Sequence, residues 1–254
     1  CVWIRHAMWR ADADPQALDQ SELFDLIIEP GELAAEFDRG PTVGRGDAHV
    51  VGPVTLLDRD ELLDRDKARS DLGVDPQAGA LLVLPETGKI TGDVTGSAGS
   101  ITSDLDVLAD EVATWDGWRI YLANAPDAGD DTVGRSDVRV LSAYPLARYL
   151  RAFDGAVAAS DYTSYHELLM AGVPTIFLPG LGTGSDDQFG RAFYAEKAGV
   201  GMCLQTLRPD MVGEALRALT SARLSAAMRQ HMQETYPPNG ATEAMRLVEE
   251  TVGG

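Results

Sequence analysis

Apolar residues gather in short runs along this chain, most of them continuous, at residues 2–5, 26–29, 81–84, 119–123, 138–141, 155–159 and 175–178. A strand with one wet face alternates apolar and polar positions. A run apolar throughout suits a strand covered on both faces, as in a parallel sheet. Segments with helical spacing lie between the runs, at 103–114, 146–152, 164–171, 188–198, 209–219 and 222–235. Strand and helix in alternation predict an α/β fold with a doubly wound, Rossmann-like parallel sheet.

The runs are unevenly spread. Residues 1–40 hold two strands and little else, which reads as the tail end of a preceding α/β domain. "GPTVGRGDAHVVGPV", residues 40–54, is rich in Gly and Pro, so 41–52 is expected as a linker. Residues 53–235 make one complete α/β unit. "YPPNG" then breaks the chain before a last amphipathic helix within 236–254. A first residue of Cys rather than Met suggests a piece of something longer.

Composition narrows the function classes. The 254 residues suffice for two modest domains or one large one. A net charge of −19 argues against binding nucleic acid or an anionic membrane through bulk electrostatics. The acids are spread along the chain, which reads as a solvated acidic surface rather than a docking tail. No apolar run is long enough to span a bilayer, and no signal peptide is read. The two cysteines, Cys1 and Cys203, make no disulfide framework, so a cytoplasmic, reducing setting is expected. The pair Asp58 and Asp60, expected in a charged helix after the linker, reads as a solvated face rather than a metal motif, and no residue pattern calls for a metal or cofactor.

Candidate chemistry collects at 155–200. "AVAASDYTSYHELL" runs strand, turn, helix, and in an open parallel sheet such a turn lies at the carboxyl edge where ligands bind. A helix start offers free N–H groups and positive potential to phosphate. Thr163 and Ser164 add hydroxyls there, and Glu167, one turn on, could accept hydrogen bonds from a vicinal diol such as ribose. Ser164 with Glu167 also reads as a capping box, in which each satisfies the other's backbone N–H. The next strand delivers "LGTGSDDQ" to the same edge. Its glycines permit close backbone approach, and Asp187 and Gln188 can bind hydroxyls or cap the following helix.

With Thr163, Ser164, Glu167, "GVP", "DDQ", "RA" and "AEKAGVG" in that order, residues 50–220 resemble the donor-binding domain of GT-B glycosyltransferases. The nearest likeness is to the peptidoglycan lipid-linked N-acetylglucosamine transferase and its relatives. The resemblance implies a nucleoside diphosphate sugar as donor, a UDP-sugar favoured, and transfer of a hexose-type sugar to an acceptor hydroxyl without metal. It implies that Glu167 holds ribose and that Ser164, with the helix start at Thr163–Tyr165, holds the pyrophosphate. Asp187 and Gln188 would contact the sugar, and Ala143 and Tyr144 would read the base. Gly88 would lie in the phosphate loop after the first strand of the domain. The acceptor is not readable, although a membrane-linked one is compatible. The pattern departs from the family at Asp161 and Tyr162, where Gly is usual, and at Pro85 and Glu86, in place of Gly-Gly. His6, Trp9 and Arg10 could face the cleft, although a lone His beside Arg at a strand end commonly serves structure. Two other readings stay open: a non-catalytic nucleotide-sugar-binding subunit of a split transferase, and a sugar-nucleotide epimerase or hydrolase of the same fold. No G-x-G-x-x-G follows an early strand, which argues against a dinucleotide-dependent dehydrogenase.

Overall fold

The computed structural model describes residues 1–85, 98–123, 135–180 and 184–253, and of 98–104 the backbone alone. Two parallel sheets organise the chain. The smaller contains β1 (Val2–Ile4), β2 (Leu26–Glu29) and β3 (His49–Val50), in the order β1-β2-β3. The larger contains β4 (Gly79–Leu84), β5 (Trp118–Ala123), β6 (Val138–Leu141), β7 (Gly155–Ala159), β8 (Thr175–Leu178) and β9 (Met202–Cys203), in the order β6-β5-β4-β7-β8-β9. Every pairing in both sheets is parallel.

The centre of the larger sheet is buried on both faces, as its continuous apolar runs require, while the edge strand β6 exposes Arg139. All five residues of β7 are buried. Helices α1 (Arg65–Leu72), α2 (Ala98–Val112), α3 (Tyr162–Ala171), α4 (Gln188–Lys197), α5 (Pro209–Thr220) and α6 (Ala222–Thr235) follow in chain order. Leu108, Leu168, Ala192, Leu216 and Met228 join Leu82, Tyr121, Val157 and Phe177 in one apolar core. Local chemistry sets the helix ends. The Asp64 carboxylate accepts from the Lys67 N–H ahead of α1. α3 stops at Gly172, whose φ of 75° suits a residue without Cβ and whose N–H reaches the carbonyls of Leu168 and Leu169.

The last helix, α7 (Ala241–Val252), packs on the smaller sheet, where Ala244, Leu247 and Val248 meet Leu26, Ile28 and Val51. Backbone meets backbone where the chain passes between the two units. A Cβ on Gly240 would lie 2.2 Å from the Gly52 carbonyl oxygen, and one on Gly52 would lie 2.8 Å from that of Pro238.

The doubly wound Rossmann-like sheet expected from the apolar runs is present, and β2, β6, β7 and β8 have the expected limits. Several details differ. β1 ends at Ile4, and β4 and β5 each begin earlier than the apolar run alone indicates. β3 lies inside the stretch expected as linker; both its residues are exposed, so no apolar pattern marks it. Residues 146–152 are a 3-10 rather than an α-helix. Asp58 and Asp60, expected in a charged helix, flank and enter only a 3-10 turn at Arg59–Glu61, which Asp58 caps from extended backbone. α1 was not expected because "RDKARSDL" has only Ala68 and Leu72 as apolar positions.

Candidate functional site

Counted from β4, the large sheet runs 3-2-1-4-5-6. The order reverses between β4 and β7, the point at which such sheets hold ligands in a crevice beyond the carboxyl ends of the strands. Pro85 follows β4, and Ser160 and Asp161 follow β7, leading into α3. Gly88, and with it Glu86 and Lys89, lies outside the described residues.

The start of α3 differs from the capping box expected at Ser164 and Glu167. The helix begins two residues earlier, and Asp161 is its N-cap, with Oδ1 accepting from the Ser164 N–H at 3.1 Å. Asp161 has a short acceptor-bearing side chain in extended backbone, and it takes the capping position before Ser164 can. Its Oδ2 is enclosed by protein, so the carboxylate is turned into the helix end. The Tyr165 N–H closes the first turn onto the Asp161 carbonyl. The helix start therefore presents the earlier N–H groups of Tyr162 and Thr163, together with the exposed Thr163 and half-buried Ser164 side chains. The Tyr165 ring is fully buried and packs on Phe177, so only its backbone belongs to this end. Glu167 is half-buried on the second turn. Burial pushes its pKa up to about 7, Asp161 adding to the effect and a hydrogen bond from the Leu56 backbone opposing it.

The loop after β8 supplies the second wall. Asp187 caps α4, with Oδ1 accepting from the Gly190 N–H at 2.9 Å. Gln188 is buried; its Oε1 accepts from the Gly180 N–H at 2.8 Å, and its carbonyl accepts from the Ser160 hydroxyl at 2.8 Å. Gln188 thus braces the ends of β7 and β8 against each other. After β6, Ala143 packs on the core edge while Tyr144 is 78% exposed.

A buried charged cluster that nothing in the local sequence marks joins the two units. Glu32, from the loop after β2, has a side chain only 1% exposed. Its Oε1 accepts from Arg191 Nε at 2.7 Å, and its Oε2 lies 3.1 Å from His166 Nε2. Arg191 is fully buried on α4 and also reaches Asp186 Oδ1 through Nη1 at 2.7 Å. His166 Nδ1 lies 3.2 Å from the Tyr236 hydroxyl. Burial opposes the Glu32 charge, but the hydrogen bond to His166 and the charge of Arg191 outweigh it and hold the carboxyl below its ordinary value. Beside the cluster, the Tyr162 hydroxyl donates to the Gly31 carbonyl at 3.2 Å and accepts from the Val54 N–H at 2.9 Å. Burial pushes the pKa of that phenol up to about 12. Arg191 in the "RA" pair and His166 beside Glu167 stood inside the motif, but nothing local marked Glu32 as their partner.

Residues 6–10 lie along the second wall. The Arg10 N–H donates to the Ser185 carbonyl, and the Asp187 N–H donates to the Met8 carbonyl at 2.8 Å. Between them Trp9 bridges Asp186 in antiparallel fashion. Met8 has φ of 54°, an unusual conformation for a residue with a side chain. His6 stacks on Trp9 with ring centroids 5.2 Å apart, and His6 Nε2 lies 3.2 Å from Ser185 Oγ.

Neither a protein-family model nor a curated protein matches the chain. Solved structures do. MurG of Acinetobacter baumannii superposes with a TM-score of 0.60 at 14% identity, covering 97% of this chain and 66% of its own. The spinosyn rhamnosyltransferase SpnG, in complex with thymidine diphosphate, gives 0.60 at 14% identity, covering 98% and 66%. The glycosyltransferase SnogD from Streptomyces nogalater gives 0.55 at 20% identity, covering 89% and 56%. The fold is that of the GT-B glycosyltransferases. This chain spans about 54–67% of the length of such structures, so the GT-B likeness is one of architecture over part of a longer molecule. Among the described residues no three His, Cys, Asp or Glu side chains converge as metal ligands. No described helix is long and apolar enough to cross a membrane.

Proposed function

We propose that this chain carries the donor-binding half of a glycosyltransferase, moving a hexose-type sugar from a nucleoside diphosphate sugar to an acceptor hydroxyl. The observation that carries the reading is the strand-order reversal between β4 and β7, with the start of α3 and the exposed Thr163 at its carboxyl edge. In this reading residues 53–235 bind the donor, and residues 1–40 with the helix of 236–254 belong to the acceptor side. The diphosphate lies at the Tyr162 and Thr163 N–H groups and the Thr163 and Ser164 hydroxyls. Glu167 takes the ribose, using the lone pairs that Leu56 leaves open. β6 and β7 stand three strand steps apart, about 14 Å at the usual spacing. That separation suits a base at Ala143 and Tyr144 and a diphosphate at α3. Asp187 and Gln188 border the sugar, with Gln188 acting through the loop that it braces.

Chemically, the α3 start stabilises the departing diphosphate as negative charge develops on it. That role needs no metal, and a UDP-sugar is the favoured donor. Calorimetry with UDP, dTDP and GDP tests the assignment. One of them is expected to bind with micromolar affinity, unchanged by a chelator. A folded chain that binds none of the three overturns the reading, and binding that a chelator abolishes overturns its metal-free form.

A further inference from the structure

The residue that opens α3 has two attachments. Its main chain supplies the first N–H of the helix, and its side chain runs back to the loop after β2 and to the chain after β3. The Tyr162 hydroxyl donates to the Gly31 carbonyl at 3.2 Å and accepts from the Val54 N–H at 2.9 Å. Gly31 immediately precedes Glu32, the carboxylate that meets Arg191 and His166. Burial pushes the phenol pKa up to about 12, so the hydroxyl keeps its proton at neutral pH and can make both bonds at once.

The stretch of chain that Tyr162 reaches is itself fixed. The Gly31 N–H donates to the Gly52 carbonyl at 3.2 Å, and the Gly240 N–H donates to the Pro53 carbonyl at 2.8 Å. The Asn239 side chain accepts from the Thr55 N–H at 3.3 Å and donates to the Thr55 carbonyl at 3.0 Å. Residues 52–55 are thus tied to residues 31 and 239–240, and the Val54 N–H ties them to α3. The Tyr162 ring is gripped as well. Its centroid lies 4.4 Å from that of His166 and 5.6 Å from the Arg191 guanidinium carbon. A tyrosine serving only to join the units could stand anywhere along α3. At 162 it fixes the peptide units whose N–H groups begin the helix. Phosphate held by main-chain N–H groups depends closely on their position, because each short charge-assisted bond weakens when the donor moves.

We propose that Tyr162 is a positioning residue for the donor diphosphate: its phenol anchors the first peptide units of α3 to residues 31 and 54, so that their N–H groups stand ready for the diphosphate. The proposal rests on the glycosyltransferase reading above. The phenol itself touches no phosphate and acts through the main chain of Tyr162 and Thr163. Two consequences follow. The anchor matters for the diphosphate and not for the nucleoside, which lies toward Glu167 and β6 in that reading. Anchoring and binding are also linked, so the diphosphate must strengthen the anchor by the factor with which the anchor strengthens its binding.

The test compares wild type with Tyr162→Phe well below the melting temperature, using UDP, dTDP and GDP and the nucleoside of whichever one binds. Tyr162→Phe keeps the ring and the main-chain N–H and loses only the hydroxyl. It is expected to bind the diphosphate about tenfold more weakly, the worth of one hydrogen bond, and the nucleoside within about twofold of wild type. A hydroxyl that served only the fold would lower the melting temperature and leave the ratio of the two affinities unchanged. The second measurement follows amide exchange at Val54 and needs no variant. Saturating diphosphate is expected to slow that exchange by about tenfold in the wild type, and saturating nucleoside is expected to leave it unchanged. A wild-type ratio of diphosphate to nucleoside affinity in Tyr162→Phe overturns the proposal alone. Val54 exchange that bound diphosphate does not slow also overturns it alone, and this second result decides the matter if Tyr162→Phe does not fold. A folded wild-type chain that binds none of the three diphosphates overturns the glycosyltransferase reading, and this proposal with it.

Discussion

Replacing Glu167 by Gln should stabilise the free protein in alkali and weaken its hold on a ribonucleotide. The carboxyl is half-buried beside Asp161, and its pKa rises from 4.5 to about 7. At about 1.4 kcal/mol per pKa unit, ionising it in the folded chain costs about 3 kcal/mol more than in the unfolded chain. Its partly wet side screens that charge, so about 1–2 kcal/mol is the working expectation. The sign follows from proton counting. Between pH 4.5 and about 7 the folded state holds the extra proton, so stability is full below this window and falls as pH rises through it. Gln has no charge to bury and its carbonyl can still accept from Leu56. Urea midpoints should therefore nearly coincide at about pH 5, with Glu167→Gln more stable by about 1–2 kcal/mol at about pH 8.5. If the ionised form holds ribose, wild-type affinity for UDP should rise through the same window. Glu167→Gln should bind UDP about 1.5–3 kcal/mol more weakly, the scale of a hydrogen bond to a charged group. Equal stability of the two proteins at both pH values would refute the burial argument. Equal UDP affinity would refute the ribose assignment and leave Glu167 as a buried partner of the Leu56 backbone.

Other outcomes follow from the join between the units. Glu32→Ala strands the buried Arg191 and His166 and should cost about 3–5 kcal/mol in urea unfolding. Because the Glu32 carboxyl is held below its ordinary 4.5, its ionised contribution is present above that pH and fades as pH falls, so the gap to wild type should narrow in acid. Tyr162→Phe removes the acceptor of the Val54 N–H and should cost about 1–3 kcal/mol; a melting curve matching wild type would show that water replaces the phenol. Gly240→Ala drives a Cβ into the Gly52 carbonyl and should lower stability by about 1–3 kcal/mol, whereas Gly44→Ala, with nothing within 4 Å of its added Cβ, meets only the backbone strain of its positive φ.

The parts of the fold legible in the sequence are those whose burial is two-sided and local. β7 and β8 have no polar interruption, and the Gly-Val-Pro break after α3 has a single stereochemical meaning at Gly172. β3 and β9 were not legible because each is two residues long. Such short strands are defined by their pairing partners and carry no pattern of their own. The α3 capping position was misplaced because both Asp161 and Ser164 can cap. Spacing to Glu167 favours Ser164, whereas the chain's exit from β7 puts Asp161 in the extended conformation a cap requires. Helix-end rules rank residues by type, and the strand before the helix decides which candidate is used.

The buried cluster was illegible for a different reason, and that reason bears on how the crevice works. Glu32 and His166 are 134 positions apart, and each looks in isolation like a surface residue. Only the packing of the loop after β2 into the space between α3 and α4 makes them partners. The same loop neighbourhood fixes Tyr162 at the start of α3 and, through Arg191, Asp186 in the loop facing His6. The two walls of the crevice are therefore referenced to one carboxylate supplied by the smaller unit. Rotating the units apart would expose the charges of Arg191 and Glu32 to water, while keeping them together leaves the cluster satisfied. The geometry around the α3 start and residues 184–188 thus depends on contact between the units. A donor-binding unit cut at residue 53 would lose Glu32 and, with it, the arrangement of both walls.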